Sequence, residues 1–258
     1  MKHRIGYYDQ KMDTICEAGT LREAALLLNE PFPVVSVIGA GGKTTTIHRL
    51  AEEYVQERFP VAVMTTTHMM RENHPWVCMV EDESEQEHVR IQMQELLSTY
   101  DQLWIGSPAR AGKMSQPPEW CRKEILSRKI PILIEADGAK RLPLKVPAGH
   151  EPVILPKTTH VLAIYGMDSI GRTLEECCCR CELAEELLGC DGQKRVTTED
   201  IAFFAASEQG GKKGCPADAK YVVVLNKADT EERRQQALEI SRMLSDQGIH
   251  RIVVTSYI

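Results

Sequence analysis

The chain has 258 residues, enough for one large α/β domain with a full core. Hydrophobic residues make up 43% and charged residues 26%, the balance of a globular protein rather than a disordered one. A formal net charge of −6 argues against a general nucleic-acid or anionic-membrane binder, since both classes use basic surfaces.

Met1-Lys2-His3-Arg4-Ile5 lacks the apolar stretch of a signal peptide, so a cytoplasmic location is expected. Residues 10–29 predict a helix carrying Ile15, Leu21, Ala24, Ala25 and Leu28 on one side. Residues 1–30 are therefore expected as an N-terminal helical segment before a main domain at 31–258. Pro31 and Pro33 break that helix and lead into a buried strand, Val34 to Ile38, followed by a helix from Ile47 to about Arg58. Further short apolar runs predict strands at Val61–Met64, Trp76–Val80, Leu103–Gly106 and Pro131–Ile134. Helices are predicted between them, over Glu83–Ser98 and Glu119–Arg128. Alternation of this kind implies parallel pairing, right-handed crossovers and a site at the carboxyl ends of the strands. A proline-rich loop at 139–158 interrupts the rhythm. A strand at His160–Tyr165, helical sequence over Thr173–Ser207, and a strand, helix and strand at Tyr221–Leu225, Glu231–Gln247 and Arg251–Thr255 complete the expectation.

Three motifs sit where such a fold places its chemistry. The first is Gly39-Ala40-Gly41-Gly42-Lys43-Thr44-Thr45, between a strand and a helix. Glycines let the backbone wrap a phosphate with its N–H groups, and the start of the helix adds a favourable dipole. Lys43 would supply positive charge to the β/γ-phosphates, and Thr44 a hydroxyl for Mg²⁺. The common phosphate-loop pattern has a glycine where this chain has Val37. The shorter form, Gly-x-x-Gly-Lys-Thr, fits and is the one seen in Mur ligases. The second motif is Glu135-Ala136-Asp137-Gly138, two carboxylates leaving a buried strand. Either acid could hold Mg²⁺ beside the phosphates, directly or through water. Glu135-x-x-Gly138 resembles a signature of nickel- and cobalt-handling GTPases. The third is Asn226-Lys227-Ala228-Asp229 after a strand, the order of the guanine-recognition motif. The Asp229 carboxylate matches the donor pair of guanine, which adenine lacks. Val254-Thr255-Ser256 resembles the last base-contacting element of GTPases.

Other residues keep two readings. Thr67 and His68, ending Thr65-Thr66-Thr67-His68, either line the phosphate or metal site or are a β-prone strand end. Lys140, Arg141 and Lys145 either grip phosphate or an anionic substrate, or form a solvated basic loop. Nine cysteines without a secretory signal read as reduced thiols. Cys178 and Cys181 have Cys-x-x-Cys spacing, and Cys177 and Cys181 would share a helical face, so a soft metal or reactive chalcogen is one reading and packing the other.

Together these residues resemble the YqeC family of selenium-dependent hydroxylase accessory proteins. The resemblance rests on residues 37–46, Thr-Thr-Thr-His-Met at 65–69, the block at 135–145, His-Glu-Pro-Val at 150–153 and Asn-Lys-Ala-Asp at 226–229. Relatives commonly show His-Arg-Pro-Glu where this chain reads Cys179-Arg180-Cys181-Glu182. The resemblance implies a phosphate-loop protein serving selenium-dependent molybdenum hydroxylases. The expectation is an α/β, P-loop NTPase-like three-layer fold with a mainly parallel sheet. Lys43, Glu135 and Asp137 would be catalytic, and Thr44, Glu135 and Asp137 would hold Mg²⁺. Residues 39–45 with Asn226, Lys227, Asp229 and Ser256 would bind GTP or ATP. The protein would be a slow GTPase assisting maturation or selenium insertion of a client molybdenum hydroxylase. Three alternatives stand beside it: a Mur-ligase-like ATP-dependent enzyme acting on a small cofactor precursor, an NTP-driven kinase of a small molecule, and a nucleotide-switch chaperone.

Overall fold

A computed structural model describes residues 4–81 and 86–257. Its framework is a mixed, mostly parallel sheet of 12 strands. The strands are β1 (Arg4–Asp9), β2 (Thr14–Glu17), β3 (Val34–Gly39), β4 (Val61–Thr65), β5 (His68–Met70) and β6 (Val77–Met79). They continue with β7 (Gln102–Pro108), β8 (Lys113–Ser115), β9 (Ile132–Glu135), β11 (His160–Gly166), β13 (Lys220–Asn226) and β14 (Ile252–Ser256). Two further strands, β10 (Leu144–Lys145) and β12 (Cys178–Cys179), form a separate parallel pair. The main order is β2-β1-β14-β13-β11-β3-β9-β4-β7-β8-β5, with β6 also on β7.

Strands β14, β13, β11, β3, β9, β4, β7 and β6 are mutually parallel. Their side chains alternate between two cores, as a sheet covered on both faces requires. In β3, Val35 and Val37 enter one core while Val34 and Ile38 enter the other. In β13, Val222 and Val224 oppose Val223 and Leu225 in the same way. Helix α2 (Lys43–Gln56) supplies Ile47, Leu50 and Tyr54 to one core. Helices α3 (Gln86–Tyr100), α4 (Glu119–Ile125), α7 (Thr198–Ala206) and α8 (Glu231–Asp246) supply the other, through side chains such as Met93, Ile125, Phe204 and Ile240.

Registry brings the polar motifs to one edge. Val37 of β3 and Thr65 of β4 both pair with Glu135 of β9. Gly39 pairs with Ile164 of β11, Gly166 with Asn226 of β13, and Asn226 with Thr255 of β14. Parallel strands that end together place their exit loops side by side.

Several expectations need correction. Residues 10–29 do not form one helix. Thr14–Glu17 pairs antiparallel with β1, which pairs antiparallel with β14, so this segment extends the sheet. Only Leu21–Ala24 (α1) is α-helical there, started by Thr20, whose side chain accepts from the Glu23 N–H. Of the apolar positions, Ile15 packs on one core and Leu21, Ala24 and Ala25 in the other, whereas Leu28 is exposed. The stretch 173–207 is not continuously helical. It divides into α5 (Leu174–Cys177), strand β12, α6 (Cys181–Leu188) and α7. The predicted start of α3 at Glu83 lies outside the described residues. Among those residues, no helix is long and apolar enough to cross a membrane.

Candidate functional site

The turn from β3 to α2 is built from backbone conformations that side chains resist. Gly39, Gly41 and Gly42 have φ of 88°, 87° and 135°. A Cβ at Gly39 would strike the Ile164 carbonyl, one at Gly41 the backbone of Gly166, and one at Gly42 the side-chain amide of Asn226. Glycine is therefore required for close approach of three strand ends. The turn delivers the chain into a 14-residue helix whose first turn has amide donors without intrahelical partners.

Three charged side chains lie under this turn. Lys43 Nζ donates to the Gly39 carbonyl at 2.6 Å and lies 3.1 Å from Asp137 Oδ1. Asp137 Oδ2 accepts from the Gly39 N–H at 3.0 Å. Thr44 Oγ1 donates to Glu135 Oε2 at 2.9 Å. Glu135 and Asp137 are 6% and 2% exposed, too buried for solvated strand-end acids. Burial raises the Glu135 carboxyl above its ordinary range, opposed by Lys43 and by the Thr44 hydroxyl.

The residues present fit a Mg²⁺–phosphate group. Asp137 Oδ1 faces Lys43 yet is buried without a directed hydrogen bond, and Glu135 is an acid whose ionisation burial disfavours. A cation near Thr44 would satisfy both.

Asp137 also begins a chain of ion pairs. Lys145 Nζ lies 3.1 Å from Asp137 Oδ2 and 2.9 Å from Glu151 Oε2, and donates to the Gly138 carbonyl at 2.5 Å. Arg180 reaches Glu151 Oε2 at 2.7 Å. Burial alone would raise the Glu151 carboxyl, but the bonds from Lys145 and Arg180 outweigh it and hold it down at about 2. Lys145 is thus sealed inside the protein, whereas Lys140 and Arg141 are exposed on a turn where both have positive φ. These two join Gly42, Thr44, Glu135 and Lys227 around a cleft of about 350 Å³. His68 lines the same cleft; Thr67 lines a neighbouring one.

The third motif meets the first through Asn226. Its side chain donates to the Gly41 carbonyl at 2.8 Å and accepts from Thr255 Oγ1 at 2.8 Å. Lys227, with φ of 63°, pairs with Asp168 at 2.7 Å. Ser256 Oγ donates to Asp229 Oδ1 at 2.7 Å, with Arg233 3.7 Å from its other oxygen. Of these residues Lys227 lines the cleft beside the glycine-rich turn; Asn226, Asp229 and Ser256 do not, and Ser256 lines a separate pocket with Arg4, Glu17 and Arg234.

The cysteine run forms no soft-metal site. Among the described residues, no group of three or more His, Cys, Asp or Glu is arranged to hold a metal. Cys177 and Cys181 do not share a helix, because β12 intervenes. Burial pushes both thiols up to about 11 and raises Cys178 as well, so these cysteines are poor thiolates.

Glu151, Arg180 and Asp168 were not assigned roles from the sequence. Glu151 and Arg180 are far apart in the chain and meet only because β10 pairs with β12. The legible signal was Glu151 within His150-Glu151-Pro152, a charged residue between prolines in a long loop.

The fold and this edge define an α/β protein with a glycine-rich turn entering a helix above two buried acids. A family model described as YqeC protein matches residues 35–182; the chain belongs to the YqeC family. Uncharacterized protein YqeC of Escherichia coli (strain K12) is 27% identical over 223 residues, covering 85% of each chain. The matched family segment contains the glycine-rich turn, both acids, Glu151 and Arg180, and ends before Asn226.

Proposed function

We propose that this chain binds a Mg²⁺–nucleoside triphosphate at the turn before α2, prefers guanine, and hydrolyses it slowly within a P-loop NTPase-like three-layer fold. The observation that carries the reading is the convergence of Gly41 and Gly42, Lys43, and the Thr44–Glu135 pair on one cleft. In it, backbone N–H groups of 41–45 cradle phosphate, and Lys43 leaves the Gly39 carbonyl to meet the β/γ-oxygens. Thr44, with Glu135 or Asp137, holds Mg²⁺, which when bound neutralises charge building on the phosphate oxygens. Asn226 ties the base loop to the phosphate loop, and Asp229 reads guanine after exchanging its bond from Ser256. In this reading the turnover serves maturation or selenium insertion of a molybdenum hydroxylase client.

One observation favours a nucleotide switch over a free-running enzyme. Lys43 is held by its own loop and by Asp137, a self-satisfied arrangement that a phosphate must displace, giving two alternative states. A Mur-ligase-like ATP-dependent activity is the third reading, favoured by the short glycine pattern.

A competition titration of GTP, XTP and ATP with Mg²⁺ separates the two guanine readings from the ligase-like one, and phosphate release with and without client separates enzyme from switch. The parent should prefer GTP, and Asp229→Asn should lose GTP affinity by tenfold or more while gaining for XTP, since an amide can donate to the xanthine carbonyl. Preference of the parent for ATP would move the ligase-like reading ahead. No binding of any nucleotide would remove all three.

A further inference from the structure

Beside the phosphate-loop cleft lies a second, larger one of about 710 Å³. The two share His68, Lys113, Gly138 and Lys140 along their common rim. The second cleft is bounded by Arg110 from the β7–β8 turn, Lys113 from β8, Lys140 after β9 and Arg180 before α6.

Its charge is unbalanced. Among the described residues, Arg110, Lys113 and Lys140 make no ion pair. The carboxylate lining the cleft is Glu151, already engaged by Lys145 and Arg180. Unpaired cations gathered from the β7–β8 hairpin and the turn after β9 repel one another, and an acidic protein of net charge −6 has carboxylates to spare for them. Two of the four basic residues also sit in left-handed backbone, Lys140 at φ 50° and Arg180 at φ 70°, a conformation that costs energy outside glycine. On the same wall Thr67 Oγ1 is buried without a hydrogen-bond partner, an orphan that a ligand oxygen would satisfy.

We propose that this cleft binds a small organic polyanion carrying carboxylate or phosphate groups, a second substrate site distinct from the phosphate loop. Arg110, Lys113 and Lys140 supply the charge, Arg180 a planar fork, and Thr67 a hydroxyl donor. A cleft of this volume suits a small molecule rather than a nucleic-acid strand. The site stands on its own side chains and does not require the nucleotide reading to be correct.

The test is calorimetric titration of citrate and, separately, inorganic phosphate into the full chain, its Lys43→Ala variant, and Lys43→Ala combined with Arg110→Glu. Arg110 is exposed, unpaired and absent from the phosphate-loop cleft, so its change should leave melting temperature within about a degree. Citrate should bind the parent and Lys43→Ala equally, and Arg110→Glu should weaken it tenfold or more. Tighter binding of citrate than phosphate assigns carboxylate groups; the reverse order assigns phosphate. Loss of both anions on Lys43→Ala alone would place them in the phosphate loop and overturn the proposal. So would undiminished binding after Arg110→Glu, or no binding of either anion to the parent. Nucleotide titrations of the same variants report on the phosphate loop separately, so failure of one site is not read as failure of the other.

Discussion

Glu135 is the residue whose physical state depends most on what lies beside it. Its carboxyl is buried and its pKa raised, with Lys43 and Thr44 only partly offsetting the loss of water. The sign of the effect on stability follows from linkage. Between the unfolded value of 4.5 and the higher folded one, the native state holds the proton more tightly, so stability falls as pH rises through that window. Glu135→Gln removes the titration. In metal-free solution the variant should gain stability relative to the parent as pH is raised from 4 toward 8, read as the difference in melting temperature. A difference independent of pH would show that Glu135 is not held in this state. The same variant should lose Mg²⁺-dependent nucleotide affinity while retaining whatever binds without metal.

At the scale of an element, the β3–α2 turn makes the sharpest demand on sequence. Gly41→Ala should cost about 3 kcal/mol, because its Cβ would meet Gly166 backbone at a positive φ. Denaturant melts should register that loss, with nucleotide affinity falling at least tenfold. Gly138→Ala is the contrast. Nothing lies within 4 Å of its Cβ, and stability should change by no more than about 0.5 kcal/mol. Equal effects from the two substitutions would contradict the packing described for the turn. This element was legible in the sequence because glycine, lysine and threonine at fixed spacing have few other uses between a strand and a helix. The acids at 135 and 137 were legible for the same reason: charge at the end of an apolar run. The N-terminal hairpin was not. Ile15, Leu21, Ala24 and Ala25 are apolar in a helix-like spacing, and only pairing with β1, itself held against β14 at the far end of the chain, fixes Thr14–Glu17 as strand while Leu21–Ala24 stays helical. The breaks inside 173–207 escaped for a similar reason, since β12 exists only through its partner β10.

Across the whole molecule, the ion pairs from Lys43 through Asp137, Lys145 and Glu151 to Arg180 join the glycine-rich β3–α2 turn to the β10–β12 ribbon. No reading of spacing could assemble them, because Lys43 and Arg180 lie far in sequence from the stretch that carries Asp137, Lys145 and Glu151. Lys145 has no exposed side-chain surface, so removing a partner strands a buried charge. Glu151→Gln should destabilise the protein at neutral pH by about 2 kcal/mol. Because Glu151 is held down at about 2, its contribution is present above pH 4.5 and is lost as pH falls toward 2. The gap between parent and variant should therefore narrow on acidification. A gap of constant size from pH 7 to pH 2.5 would mean that the pair does not carry the stability assigned to it.

The central interaction is that of Lys43 with phosphate. Isothermal titration of Mg²⁺–GTP and Mg²⁺–ATP into the parent and Lys43→Ala, with circular dichroism confirming that both are folded, tests it directly. The parent should bind at least one nucleotide with one site per chain, GTP more tightly, and Lys43→Ala should weaken that binding at least a hundredfold. Nucleotide affinity unchanged in a folded Lys43→Ala protein would contradict the phosphate-loop assignment.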